Sequence, residues 1–459
     1  MKWQNVYILF VLLPFLVSAI DYDFLSTKTP YRWSPIKGFG DSLINNPQCS
    51  IIHANIVYRH GSRQPNNNYS KKFRKIQSRL QNIDDPVAKL LSGLEYPFDK
   101  GNELLPTGYD ELFQLGKRLR EKSNLQFSQS NTEFYSSSLS RSYESGRGFY
   151  HGLFNDPTGY ESHVKVDDRM LRFFASCEKY KNEIDDNPEV EVEVDRFLSS
   201  KMFLDRFNQS MEKFRSLNFT VSEVVLLDKI CGHYLASDLK YDKEIPLVCT
   251  IFDKNSLNPL LDYSMALKQY WKKSYGYKIN YEQAGELFGS IYDGLMNAMN
   301  EFKENSNNKK KGIFWFGHAE TIIPIEAILG LFKPLHNLTH ESYDDWLEEV
   351  KIIPTSQESF RGSVIAPFAG NVGFFLYYCD NSKNFMIEVN VNEQPVSWIQ
   401  KKSYITADYF FENFKNYSFN NFNKSEVCHA ISQYKIPYFE TLMALISILV
   451  LKFFRFYFS

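Results

Sequence analysis

The chain has 459 residues, more than one typical domain and fewer than three. Hydrophobic residues make up 43% and charged residues 23%, a globular composition with enough apolar material for a sizeable core. The formal net charge of −2 excludes nucleic-acid binding driven by overall basicity, so any affinity for anions must come from a local cluster of Arg and Lys.

Met1-Lys2, the apolar run Val6 to Val17 and the small residues Ser18-Ala19 give residues 1–19 the order of a secretory signal peptide. Six cysteines form an even set for an oxidising compartment, with fifteen possible pairings. None has the Cys-x-x-Cys or His/Cys spacing of a metal site, so neither a metal nor a cofactor is expected. Sequons at Asn68, Asn208, Asn218, Asn337, Asn416 and Asn423 mark candidate glycan sites.

Ile51 to Tyr58 is β-rich and stops at Arg59-His60-Gly61, a strand running into a sharp turn. Residues 156–309 carry long amphipathic runs, such as Val194 to Leu198 and Tyr281 to Met299, and read as a mostly helical insertion. Glu304 to Lys311 is a solvated loop leading to a short apolar strand, Gly312 to Phe316, which ends at Gly317-His318. A helix is expected from Glu320, with Pro324 tolerable only in its first turn. Val372 to Tyr378 reads as a fully buried strand, and Ile387, Val389 and Val391 alternate with polar residues as a half-buried one does.

The expected fold class is α/β. Residues 20–155 and 310–430 build a central mixed sheet flanked by helices, and the helical cap is inserted between them. Both Gly/His turns then fall at carboxyl ends of strands, where such sheets bind ligands. At the far end, Leu442 to Leu451 is apolar and is followed by Lys452 and Arg455. Residues 436–459 read either as the cleaved signal for a glycolipid anchor, attached near Ala430 or Ser432, or as a short transmembrane helix. Both place the protein in the secretory pathway on a membrane, at the extracellular face of the plasma membrane or in the ER lumen.

The chemistry concentrates in Arg59-His60-Gly61-Ser62-Arg63-Gln64-Pro65. A phosphoryl group spreads charge over three equatorial oxygens in its transition state and calls for several cations fixed around one nucleophile. Arginine suits this because its planar fork donates to two oxygens at once. A neutral imidazole nitrogen can attack phosphorus and leave a phosphohistidine for water to cleave. In the second cluster, His318-Ala319-Glu320-Thr321, His318 supplies a donor and Glu320 a carboxylic acid for the leaving oxygen.

The first string resembles the signature of the histidine phosphatase superfamily, in its acid phosphatase and phytase branch. Gln64 departs from the aromatic residue common at that place. His-Ala-Glu-Thr, where acid phosphatases read His-Asp, resembles the multiple inositol polyphosphate phosphatases. Ser136 to Ser145, Leu171 to Cys177, Ser363 to Ala369 and Val389 to Pro395 resemble segments of that family in order, over roughly Cys49 to Pro395. The resemblance implies a phosphoric monoester hydrolase acting on phytate and lower inositol phosphates, with 2,3-bisphosphoglycerate as a further substrate. It implies His60 and Glu320 as catalytic residues, and Arg59, Arg63, Arg141 and His318 around the phosphate. It also implies the disulfides Cys49–Cys379, Cys231–Cys249 and Cys177–Cys428. A substrate with many charges needs more cations at the mouth. Lys71, Lys72, Arg74 and Lys75 either supply them or form a solvated helix face. A broader acid phosphatase and a non-catalytic cell-surface binding protein are the competing readings.

Overall fold

The computed structural model describes residues 25–33, 42–242, 246–252, 257–306, 309–352, 360–397 and 402–429. The expected signal peptide, the anchor-attachment residues and the apolar tail lie outside the described residues, and no described helix is long and apolar enough to cross a membrane.

In chain order the main elements are β1 (Cys49–Arg59), α1 (Asn67–Leu80), α2 (Pro106–Lys122), β2 (Thr132–Ser136), α3 (Ser140–Phe154), β3 (Val164–Val166), α4 (Val221–Ser237), α5 (Leu257–Lys273), α6 (Gly285–Lys303), β4 (Gly312–Gly317), α7 (Ala319–Ile328), β5 (Asn371–Cys379), β6 (Asn384–Val391), β7 (Gln394–Pro395) and β8 (Tyr404–Thr406). The strands form one mixed sheet in the order β3-β2-β4-β1-β5-β6-β7, with β8 paired to β6. β1, β2, β3 and β4 run parallel, whereas β5 is antiparallel to β1. The fold is therefore α/β, with a mixed sheet covered by helices on both faces.

Alternate residues of β1 serve two cores. Ala54, Ile56 and Tyr58 pack with Phe314 and Phe316 against Leu112, Leu115 and Phe149 of α2 and α3. Val57, Val372, Phe374 and Leu376 belong to the larger core on the opposite face, with Phe288 and Ile291 of α6. Burial on both faces explains the unbroken apolar runs of these strands.

Every described element between Val166 and Gly312 is helical. Two features inside 156–309 belong with the sheet all the same. Val164–Val166 pairs in parallel with β2 as an edge strand, and three residues are too few to show a period of two. α6 covers the sheet, with Phe288 ring-to-ring against Phe374 at 6.0 Å.

Two local expectations are corrected. β6 is not half-buried: Glu388 is fully buried, because Ser42 and Leu43 lie over it and donate to its carboxylate at 3.1 and 2.7 Å. Pro324 sits in the second turn of α7, which begins at Ala319, so its ring leaves the Glu320 carbonyl without the usual i→i−4 donor.

Three disulfides are present, Cys49–Cys379, Cys177–Cys428 and Cys231–Cys249, with the pairing the resemblance implies. The first joins the directly opposed ends of β1 and β5.

Candidate active site

Parallel pairing puts the carboxyl ends of β1, β2 and β4 side by side, with Arg59 opposite Gly317 and Ser136 opposite Phe316. Backbone bonds continue past the strand ends. The His60 N–H donates to the Gly317 carbonyl at 3.0 Å, and the Ser137 N–H donates to the Phe316 carbonyl at 3.1 Å. The His60 carbonyl accepts from the Ala369 N–H at 3.0 Å. The turn after β1 is thereby held between β4 and the residues leading into β5.

Close approach explains one residue of the motif. A Cβ at Gly61 would lie 2.2 Å from the Gly108 carbonyl oxygen at the start of α2, so only glycine fits. The Gly61 N–H donates to Ser145 Oγ at 3.0 Å, tying the turn to α3, the helix that carries Arg141.

His60 is 3% exposed. Its Nδ1 lies 2.9 Å from the Gly61 carbonyl, which can only accept, so Nδ1 carries the proton and Nε2 keeps its lone pair. Burial, then Arg59, Arg141, Arg63 and His318, push the imidazole well below its ordinary pKa, so it is neutral across the physiological range. The His60 and His318 ring centroids are 5.6 Å apart.

Arg59 is buried, donates through Nη1 to the carbonyls of Thr27 at 2.7 Å and Ala366 at 2.6 Å, and lies 4.6 Å from the Phe368 ring centroid. Burial and Arg63 depress it to about 9, and burial and Arg141 depress Arg63 to about 10, so both stay cationic near neutral pH. His318 Nε2 lies 3.0 Å from Ser137 Oγ. Burial brings the His318 ring down to about 3, so it too is neutral.

Glu320, in the first turn of α7, pairs with Lys273 at the end of α5, Nζ to Oε1 2.7 Å. Burial alone would raise this carboxyl. The Lys273 ion pair and hydrogen bond outweigh it and hold the group well below the usual carboxylate range. Glu320 acts electrostatically on Arg59, Arg63, Arg141 and His318, so all six motif residues share one region.

Lys71, Lys72, Arg74 and Lys75 are exposed on α1. Phe73, Ile76 and Leu80 form the buried stripe of that helix, and Arg74 lies 5.9 Å from the Tyr96 ring centroid. Further lysines near the motif residues come from segments remote in sequence, Lys28 before β1 and Lys273 on α5. Lys28 is depressed by burial and by the charges of Arg59, Arg63, Lys273 and Lys229. Gln64 is also turned away, its side-chain oxygen accepting from the Lys100 N–H at 2.8 Å. The six sequon asparagines are exposed, and the Asn337 side chain accepts from the Tyr270 hydroxyl at 2.7 Å. No cluster of three or more potential metal ligands occurs among the described residues.

Residues 50–392 match the family model described as histidine phosphatase superfamily (branch 2). The chain belongs to that family. This histidine phosphatase is 26% identical to multiple inositol polyphosphate phosphatase 1 of Gallus gallus over 83% of its own length and 84% of the relative's. It is likewise 26% identical to the Homo sapiens protein of that name, over 86% and 85%. An acid phosphatase of Schizosaccharomyces pombe is 25% identical over 81% of this chain and 80% of that protein. Among solved structures, the D. castellii phytase superposes with a TM-score of 0.67 at 19% identity, covering 91% of this chain and 90% of the phytase. The Bifidobacterium longum multiple inositol polyphosphate phosphatase, solved with inositol hexasulfate, gives 0.59 at 14% identity, covering 87% and 98%. The histidine phosphatase is accordingly a phosphoric monoester hydrolase.

Proposed function

We propose that this histidine phosphatase removes phosphate from inositol polyphosphates through a phosphohistidine at His60. The observation that carries the reading is a neutral, buried imidazole with a free Nε2 in the field of three arginines. In the first step the Nε2 lone pair attacks phosphorus, the P–O ester bond breaks, and the leaving alkoxide takes a proton from Glu320. In the second, water attacks phosphorus, the N–P bond breaks, and the Glu320 carboxylate takes the water proton. Arg59, Arg63, Arg141 and His318 stabilise the equatorial oxygens throughout.

Lys28 and Lys273 exceed what one phosphate needs and support a substrate with several, such as phytate, lower inositol phosphates or 2,3-bisphosphoglycerate. A neighbouring phosphate competes for Lys273, and release of that ion pair restores the proton affinity of Glu320. The names of the Gallus gallus and Homo sapiens relatives support the same substrate class. Three disulfides support a secretory location. On the same reading, the helical part of 156–309 outside β3 and α6 is a cap, the exposed sequons carry glycans, and residues 436–459 attach the protein to a membrane.

The test is His60→Ala, expected to abolish phosphate release from phytate while circular dichroism stays native. Wild-type enzyme quenched during turnover with labelled phytate should yield phosphohistidine. A strong preference for an aryl phosphate over phytate would favour a broad acid phosphatase. Phytate binding without any phosphoenzyme would favour a binding protein.

A further inference from the structure

A carboxylate outside both motifs holds the turn that carries His60. Glu111, in the second turn of α2, accepts from the Ser62 N–H at 2.7 Å through one oxygen. Its other oxygen accepts from the Ser62 hydroxyl at 2.9 Å and the Tyr31 N–H at 3.1 Å. The Ser62 N–H and the Gly61 carbonyl belong to one planar peptide unit. That carbonyl is the acceptor for His60 Nδ1 at 2.9 Å. Pulling on the N–H therefore fixes the direction of the C=O, and the C=O fixes which imidazole nitrogen carries the proton.

Each neighbour of Glu111 is itself anchored. The Tyr31 hydroxyl donates to Glu393 at 3.0 Å and accepts from Asn371 Nδ2 at 3.2 Å. Arg118, two turns further along α2, grips Glu393 with Nε at 2.9 Å and Nη2 at 2.7 Å. On the other side of the turn, Ser145 Oγ accepts from the Gly61 N–H and donates to the Arg141 carbonyl at 2.6 Å. Resting on the phosphohistidine reading above, we propose that Glu111 is a positioning residue that sets the His60 tautomer through the Gly61–Ser62 peptide. It does the work of an orienting carboxylate in a catalytic triad, with a peptide plane interposed.

Glu111→Ala should lower kcat for phytate on the order of 100-fold, the scale for a misplaced reacting group. KM should stay within about threefold, because the phosphate-binding arginines remain. Glu111→Gln keeps an acceptor for the Ser62 N–H and should recover most of the loss. In 15N spectra of histidine-labelled protein, His60 should shift from the Nδ1–H form to a mixture in the alanine variant. A merely structural role would instead reduce the amplitude of the phosphoenzyme burst and leave its rate constant unchanged, which overturns the proposal. A wild-type tautomer ratio in Glu111→Ala overturns it too. If the alanine variant does not fold, Glu111→Asp retracts the carboxylate by one methylene and should lose about tenfold in kcat; a wild-type rate there is equally fatal. Wild-type enzyme that forms no phosphohistidine refutes the reading of the reaction, while the tautomer measurement still judges Glu111.

Discussion

Replacing Lys273 by Met removes the cation paired with Glu320 and leaves a side chain of similar length. An opposite charge within about 4–6 Å depresses a carboxyl pKa by about 1–3. The lower end applies here, because the Glu320 side chain keeps 36% of its surface exposed and solvent screens the pair. The sign is fixed by the ion pair: Lys273 supplies the two largest influences that oppose burial, so without it Glu320 holds its proton more tightly. At pH 6 the protonated fraction in the free enzyme should rise about tenfold, equivalent to about 1.4 kcal/mol. An alkyl phosphate with one phosphoryl group cannot displace Lys273 with a second phosphate, and its alkoxide leaves poorly without a proton. An aryl phosphate needs little acid assistance. Steady-state rates on glycerol phosphate and an aryl phosphate at pH 6 should show the alkyl-to-aryl ratio of kcat rising about tenfold in Lys273→Met. Over the same change kcat/KM for phytate should fall. An unchanged ratio in a folded, active variant would refute both the control of Glu320 by Lys273 and its role as the acid.

Three further outcomes are expected. Arg141→Ala should reduce kcat about 100- to 1,000-fold and weaken orthovanadate inhibition, measured by steady-state kinetics on phytate. Gly61→Ala drives a methyl group to 2.2 Å from the Gly108 carbonyl and should cost about 1–3 kcal/mol in urea unfolding, with a larger proportional loss of activity. Asp228 is pushed up to about 7 by burial and by Asp262, so the folded chain retains a proton the unfolded chain releases above about pH 4. Stability should fall as pH rises from 4 to 7, by up to about 4 kcal/mol from this group. Asp228→Asn should flatten that part of a melting-temperature profile.

The parts of the site on strand ends were legible in the sequence. β1 and β4 announce themselves as apolar runs that stop at Arg-His-Gly and Gly-His, and parallel pairing brings those stops together. Lys28, Lys273 and Glu111 were not legible, because each comes from an element whose position relative to the sheet is set by packing. Lys71, Lys72, Arg74 and Lys75 follow the first motif closely in sequence, and all four are exposed on α1. Glu388 followed the alternation of a half-exposed strand, and nothing in its own surroundings foretold that Ser42 and Leu43 would cover it.

The order of the sheet has a consequence for biosynthesis. The strand that leads into His60 is the first to emerge from the ribosome, yet both of its partners, β4 and β5, begin only at Gly312 and Asn371. Until then its apolar edges have no native neighbour, and the Cys49 thiol waits for a mate 330 residues away. Long-range pairing of this kind folds slowly and leaves nascent chains prone to aggregation. A nascent fragment ending before β5 lacks the antiparallel neighbour of β1, and the turn that carries His60 is then held on one side only.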